Sequence, residues 1–296
     1  MSKSLIPELV GAASNRRSFI KKIGIATAAV GALSIVEPKS AEAQSSTEVS
    51  ILNFALNLEY LEAEFYTYGE YGFGIEQAGL GTNGIATGSN PPTGGTTTGG
   101  SKVTFSNNLV FSQQILHQIG SDERAHVVLL RSFLGQQAVA KPNINLNALG
   151  FGFGNQNDYL KLARIFEDIG VTAYAGAAGL LTTPLVITTA ARILAAEAEH
   201  VSTIRTQIAR LNVPTAALDG ADLIPPPTGP QTQYLSINTS NGLPAVRTAG
   251  QVLYLAYGGK AGATSGGFFP TGVNGAINTS TGPATANNLT TQPTGY

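Results

Sequence analysis

Seven residues of this 296-residue chain have the chemistry and the spacing to act together: Glu59, Glu62, Glu123, His126, Glu167, Glu197 and His200. Each interrupts an apolar stripe that recurs every three or four residues, the pattern of a helix face turned toward a core. An ionised carboxylate buried alone costs many kcal/mol and takes up a proton instead. Several carboxylates converging with two imidazoles therefore call for a cation, and two divalent metals supply the charge. Glu-x-x-His occurs twice, at Glu123/His126 and Glu197/His200. Residues three apart lie on one helix face, so each pair can serve one metal centre. With 18 acids in 296 residues, a histidine placed at random has an acid three before it about 6% of the time, so two of three is not a chance pattern.

Oxygen ligands with one imidazole per metal suit Fe or Mn, and the leading expectation is redox chemistry of such a pair on peroxide or dioxygen. Peroxide removal fits best. Cysteine is absent, which excludes disulfides and thiolate sites; tryptophan is absent and Met1 is the one methionine, so few easily oxidised side chains are present.

These residues need four helices to hold them. The first spans 46–69, with Leu52, Ala55, Glu59, Glu62 and Tyr66 on its stripe. The second spans about 106–134, with Leu116, Ile119, Glu123, His126 and Leu130 facing inward and Gly135 at its C-cap. Asn155 is the expected N-cap of the third, which carries Leu160, Ala163, Glu167, Gly170 and Tyr174. A Thr182-Thr183-Pro184 turn starts the fourth, with Ala190, Ile193, Glu197, His200 and Ile204 on its stripe. An all-α antiparallel four-helix bundle over 46–211 is the expected fold. Residues 72–101, dense in Gly, Thr, Asn and Pro, form an inserted loop. Residues 212–296 form a Gly-, Thr-, Asn- and Pro-rich extension with one short helix near 247–257, packed irregularly or disordered.

The halves repeat: Glu59 with Tyr66 and Glu167 with Tyr174 share a seven-residue offset, and each pair precedes a Glu-x-x-His. Glu62 stands outside the repeat, its counterpart being Gly170, and is an open candidate for a ligand or a neighbouring base. Tyr66 and Tyr174 lie beside the set, more as packing aromatics than as hydrogen-bonding partners. His117 is off the stripe. Asp122, Glu64, Asp168 and Glu199 are expected in solvent or paired with arginines.

Residues 1–43 read as a targeting segment: Arg16-Arg17-Ser18-Phe19-Ile20-Lys21-Lys22, the apolar run 23–36, and Ala41-Glu42-Ala43. The run is too short for a spanning helix. The twin arginine resembles the signal that exports folded proteins, which would allow metal loading before export and place the chain in the periplasm, envelope or outside the cell. Cleavage after Ala43 removes six basic and three acidic residues, leaving 11 against 15, a formal −4. No basic patch remains for nucleic acid.

The duplicated pattern resembles the ferritin-like superfamily, which includes bacterioferritins, rubrerythrins and manganese catalases. The strings Asn57-Leu58-Glu59-Tyr60-Leu61-Glu62-Ala63, Asp122-Glu123-Arg124-Ala125-His126 and Gly-Gly-Phe-Phe-Pro-Thr-Gly-Val-Asn-Gly at 266–275 are similar to the exported branch related to plant desiccation-related proteins. The resemblance implies that Glu59, Glu123, His126, Glu167, Glu197 and His200 are the six ligands of two Fe or Mn ions, with Glu123 and Glu197 bridging. Glu167 precedes Glu197 by 30 residues, about one helical turn fewer than the family usually leaves, so the third and fourth helices join tightly. The competing expectation is a non-catalytic envelope or stress-protection protein whose metal pair only braces the bundle. Homo-oligomers are compatible with both readings; an iron-storing shell is the weakest fit, because loop and extension would enter every shell contact.

Overall fold

The computed structural model of the protein describes residues 44–88, 90–105, 114–228 and 233–290. The targeting segment expected over 1–43 and the start of the second helix, 106–113, lie outside them. The chain is mostly helical: α1 (Ser46–Tyr71), α2 (Leu116–Leu134), α3 (Gln156–Ala177), α4 (Pro184–Arg210) and a short α5 (Ala249–Ala256). Among the described residues, sheet is limited to isolated bridges and two-residue ladders, β1 (Thr97–Thr98) parallel to β2 (Ile144–Asn145) and β3 (Ile237–Asn238) antiparallel to β4 (Leu243–Pro244). No helix among the described residues is long and apolar enough to cross a membrane.

The helix starts are locally encoded. Ser45 and Glu48 form a capping box at α1, and Glu48 also accepts hydrogen bonds from the Thr182 and Thr183 amides at 2.8 and 2.7 Å and from Thr183 Oγ1 at 2.8 Å. One carboxylate thereby caps α1 and fastens the start of α4 beside it. Burial opposes its charge, but the Thr183 and Thr182 amides outweigh that and hold it down at about 2. Asn155 caps α3 through the Asp158 amide at 3.0 Å, and Pro184 occupies the first turn of α4.

α1 packs most extensively on α2, and α3 on α4, with further contacts of α1 on α3 and α2 on α4. Asn53 near the start of α1 donates to Gln137 O just beyond α2, while Tyr159 at the start of α3 lies against Gly69 at the end of α1. α1 is therefore antiparallel to both, and residues 135–155 travel back along the helices. Buried Lys141 in that segment pairs with buried Glu64 of α1 and with Glu76 at 2.6 Å. Glu64 is thus neither solvated nor paired with arginine, contrary to the sequence expectation. It also accepts from Thr97 Oγ1 and the Ile75 amide, so one buried acid ties the inserted loop and the return segment to α1.

The described part of 212–290 is packed. Asn57 on α1 donates to Asn274 O at 2.8 Å and accepts from the Asn274 amide at 2.9 Å. Arg164 and Arg205 hold Asp168 at 2.7 and 2.8 Å, and Arg164 reaches Asp222 of the extension at 2.5 Å. Arg247 joins Asp219 to Thr172 on α3. Phe268 meets Phe166 edge-on with centroids 5.0 Å apart. These buried charges are all paired, as burial requires, and they seat α5 and the Phe268 segment against α1 and α3 at the level of the acidic residues.

Candidate metal centre

Glu59, Glu123, Glu167 and Glu197 are fully buried, and Glu62, His126 and His200 nearly so. The structure brings six of the seven into two groups of four donors: Glu59, Glu123, His126 and Glu197, and Glu123, Glu167, Glu197 and His200. Within each group the donor atoms lie within 4.8 Å of one another. Glu123 and Glu197 belong to both groups, so each can offer one oxygen to either side.

His126 Nδ1 is 3.2 Å from Glu59, 3.3 Å from Glu123 and 3.4 Å from Glu197. His200 Nδ1 is 2.9 Å from Glu123 Oε1 and 3.3 Å from Glu167 Oε2. Yet Glu123 Oε1, Glu167 Oε2, both oxygens of Glu197 and His200 Nδ1 are buried with no hydrogen-bond partner. Native proteins rarely leave one such atom orphaned. Four carboxylate oxygens and one imidazole nitrogen crowded together without well-formed hydrogen bonds are a donor set that could hold cations.

The protonation pattern has the same origin. Burial, then the charge of neighbouring glutamates, pushes Glu197 and Glu62 well above the usual carboxylate range. Burial lifts Glu59 to about 7 despite His126, and raises Glu167 against the pull of His200. Glu123 goes the other way: burial is overcome by His126, and its pKa falls. Both histidines are raised, because Glu59 at His126 and Glu167 at His200 outweigh desolvation. A metal-free centre therefore holds extra protons that cations would displace.

The two tyrosines are more than packing. Tyr66 donates to Glu167 Oε1, and Tyr174 to Glu59 Oε1 at 2.5 Å. Each thus crosses from one half of the molecule to orient the acid of the other, and the sequence reading underrated them. Asp122, expected in solvent or beside arginine, lies 3.3 Å from His200 Nε2 and is steadied by Gln118 at 3.0 Å. Sequence periodicity missed this residue, because it reaches α4 beside an open cleft of about 350 Å³ that Gln118, Asp122, Glu199 and His200 help to line. His117 is exposed and bonds to Glu70 at 2.6 Å, away from the centre.

Residues 47–210 match the ferritin-like domain family. The chain belongs to that family. It is also 28% identical over 176 residues to the desiccation-related protein PCC13-62 of Craterostigma plantagineum, a match covering 54% of this chain and 52% of the relative. This ferritin-like chain thus spans about half the length of that relative. The family match stops at 210, so the packed extension lies outside it.

Proposed function

We propose that this protein is an exported four-helix-bundle carboxylate protein that holds two Fe or Mn ions and uses them on peroxide or dioxygen. The observation that carries this reading is the pair of four-donor groups sharing Glu123 and Glu197, with five of their buried atoms unpartnered. Four carboxylates balance the charge of two divalent ions, and Glu62, outside both groups, has its carboxyl pushed well above the usual range in the metal-free fold by burial and the neighbouring glutamates. When bound, such a pair supplies reversible electron transfer at a site whose acids are buried. Glu59, His126, Glu167 and His200 would each hold one ion, and Glu123 and Glu197 would hold both. Tyr66 and Tyr174 orient the two outer acids, each giving up a proton only with difficulty because burial and the facing glutamate raise its pKa.

The test is metal analysis of protein exported by its native host, followed by peroxide and dioxygen turnover. About two Fe or Mn per chain with turnover supports the proposal; metal near zero in carefully prepared protein sinks it. Bound metal without turnover would favour a bracing role, a reading supported by the extension that encloses one side of the centre and by the relative's description as desiccation-related. Export through the twin-arginine route predicts that replacing Arg16 and Arg17 by Lys blocks secretion of a chain beginning at Gln44; normal secretion of that variant would remove this route.

A further inference from the structure

A small cavity of about 20 Å³ lies between α1, α3 and α5, lined by Leu58, Glu62, Gly170, Val252, Ala256 and Phe268 among others. Two of its walls come from the helices that carry Glu59 and Glu167, and the third comes from the extension. Glu62 and Gly170 line it, and Gly170 also lies close to Glu197. A Cβ on Gly170 would lie 2.6 Å from Glu197 Oε2 and 3.3 Å from Glu62 Oε1. The missing side chain is thus what leaves the cavity within a few ångströms of an acid shared by both donor groups.

We propose that this cavity is a binding site for dioxygen, built jointly by the bundle and the C-terminal extension; the inference rests on the metal-pair reading above. The volume decides the size of the ligand. A space of about 10–15 Å³ on this measure is the minimum for one water-sized molecule, so about 20 Å³ takes a molecule of one or two heavy atoms. The lining decides its polarity. Water needs two to four polar partners, and peroxide has two O–H donors to satisfy; among the lining residues only Glu62 has a polar side chain. A diatomic apolar gas needs no partners. Val252 and Ala256 on α5 and Phe268 after it form the wall that the extension contributes, so the extension helps set what fits, and Glu62 lines the same space.

The test uses xenon, an apolar probe of dry cavities, on the full mature chain, with and without metal. Expected is one xenon per chain between α1, α3 and α5, bound more tightly in Val252→Ala and lost in the Val252→Ile/Ala256→Val variant. That filled variant should keep its metal content but consume dioxygen at least about tenfold more slowly when loaded with ferrous iron, while its rate with peroxide is unchanged. If the filled variant does not fold, the enlarged Val252→Ala cavity still gives the opposite-signed readout. An empty cavity under xenon overturns the inference, and so does xenon binding with unaltered dioxygen consumption, which would mark a packing void only. Because xenon reads the metal-free protein as well, an empty cavity is distinguishable from an absent metal pair.

Discussion

The two halves of the molecule, α1 with α2 and α3 with α4, present the same acids and histidines but differ at two positions near the centre. Glu59, Tyr66, Glu123 and His126 are matched by Glu167, Tyr174, Glu197 and His200, and each tyrosine bonds to the acid of the opposite half. The matched residues are those that make up the two donor groups. The unmatched ones surround them: Glu62 faces Gly170, and Asp122 corresponds to Ala196. Duplication explains the charge needed to hold two cations; the departures from it make the two sides of the centre unequal.

The comparison breaks most severely at the residues common to both groups. Glu197→Gln or Glu123→Gln removes a donor from each, and metal content should fall from about two ions per chain to below one. His126→Ala and His200→Ala should each cost a single ion, since each belongs to one group. Equal losses from all four variants, read by elemental analysis after dialysis, would mean that the two groups are not separate sites.

The Glu62/Gly170 difference comes next. Gly170→Ala places a methyl 2.6 Å from Glu197 Oε2, so it should weaken both ions at once. Glu62→Gln, at a residue in neither group, should leave the stoichiometry unchanged. Metal titration of the two variants checks this, and loss of an ion from Glu62→Gln would make Glu62 a ligand.

Removing metal should invert the pH dependence of stability. Glu59, Glu62, Glu167 and Glu197 all have raised pKa values in the fold, so the native state keeps protons that the unfolded chain has released. Stability of the metal-free protein then falls as pH rises above about 4.5, through about 7 for Glu59, and on the order of 3 kcal/mol is at stake for that group alone. The raised histidines act in the same direction above 6.5. Glu48 and Glu123, depressed in the fold, contribute fully above 4.5 and do not reverse the slope. Metal-free Glu59→Gln and Glu167→Gln should be more stable than metal-free wild type at pH 7, and both should bind metal less tightly. Urea midpoints at pH 5 and 7 decide it: the metal-free protein should lose stability over that interval while the loaded protein does not, because cations hold the carboxylates ionised.

The donor residues were legible because a buried acid interrupts a periodic apolar stripe, and because a Glu-x-x-His spacing survives in one dimension. What was hidden depends on contacts between distant segments. Asn57 and Asn274 lie 217 residues apart, and nothing in either string says that they meet. The same holds for Glu64 with Lys141 and for Phe166 with Phe268. Tyr66 and Tyr174 carried a signal in their shared offset from Glu59 and Glu167, but a hydrogen bond across helices needs relative heights that a repeat does not give. Asp122 adjoins a stripe residue in sequence, so helical periodicity placed it off the centre, whereas α4 approaches closely enough for its carboxylate to reach His200.

That last contact gives the smallest and most specific prediction. An imidazole that binds metal through one nitrogen is oriented by whatever accepts from the other, and such partners typically change metal affinity by about 10- to 100-fold. His200 presents Nδ1 to the donor group and Nε2 to Asp122 at 3.3 Å, whereas the α4 residue at the equivalent position for His126 is Ala196, which has no polar side chain. The two ions should therefore bind with unequal affinity, the His200 side more tightly. Asp122→Asn should bring that side down by about tenfold without altering the His126 side. Because Asp122 is 35% exposed, the substitution leaves no buried charge unpaired and should scarcely change the unfolding midpoint. The converse change, Ala196→Asp, offers His126 the partner it lacks and should narrow the gap from the other direction. Stepwise calorimetric titration of wild type and the two variants measures both affinities; two identical sites in wild type, or a uniform loss in Asp122→Asn, would show that the asymmetry between the halves has no hold on the metal.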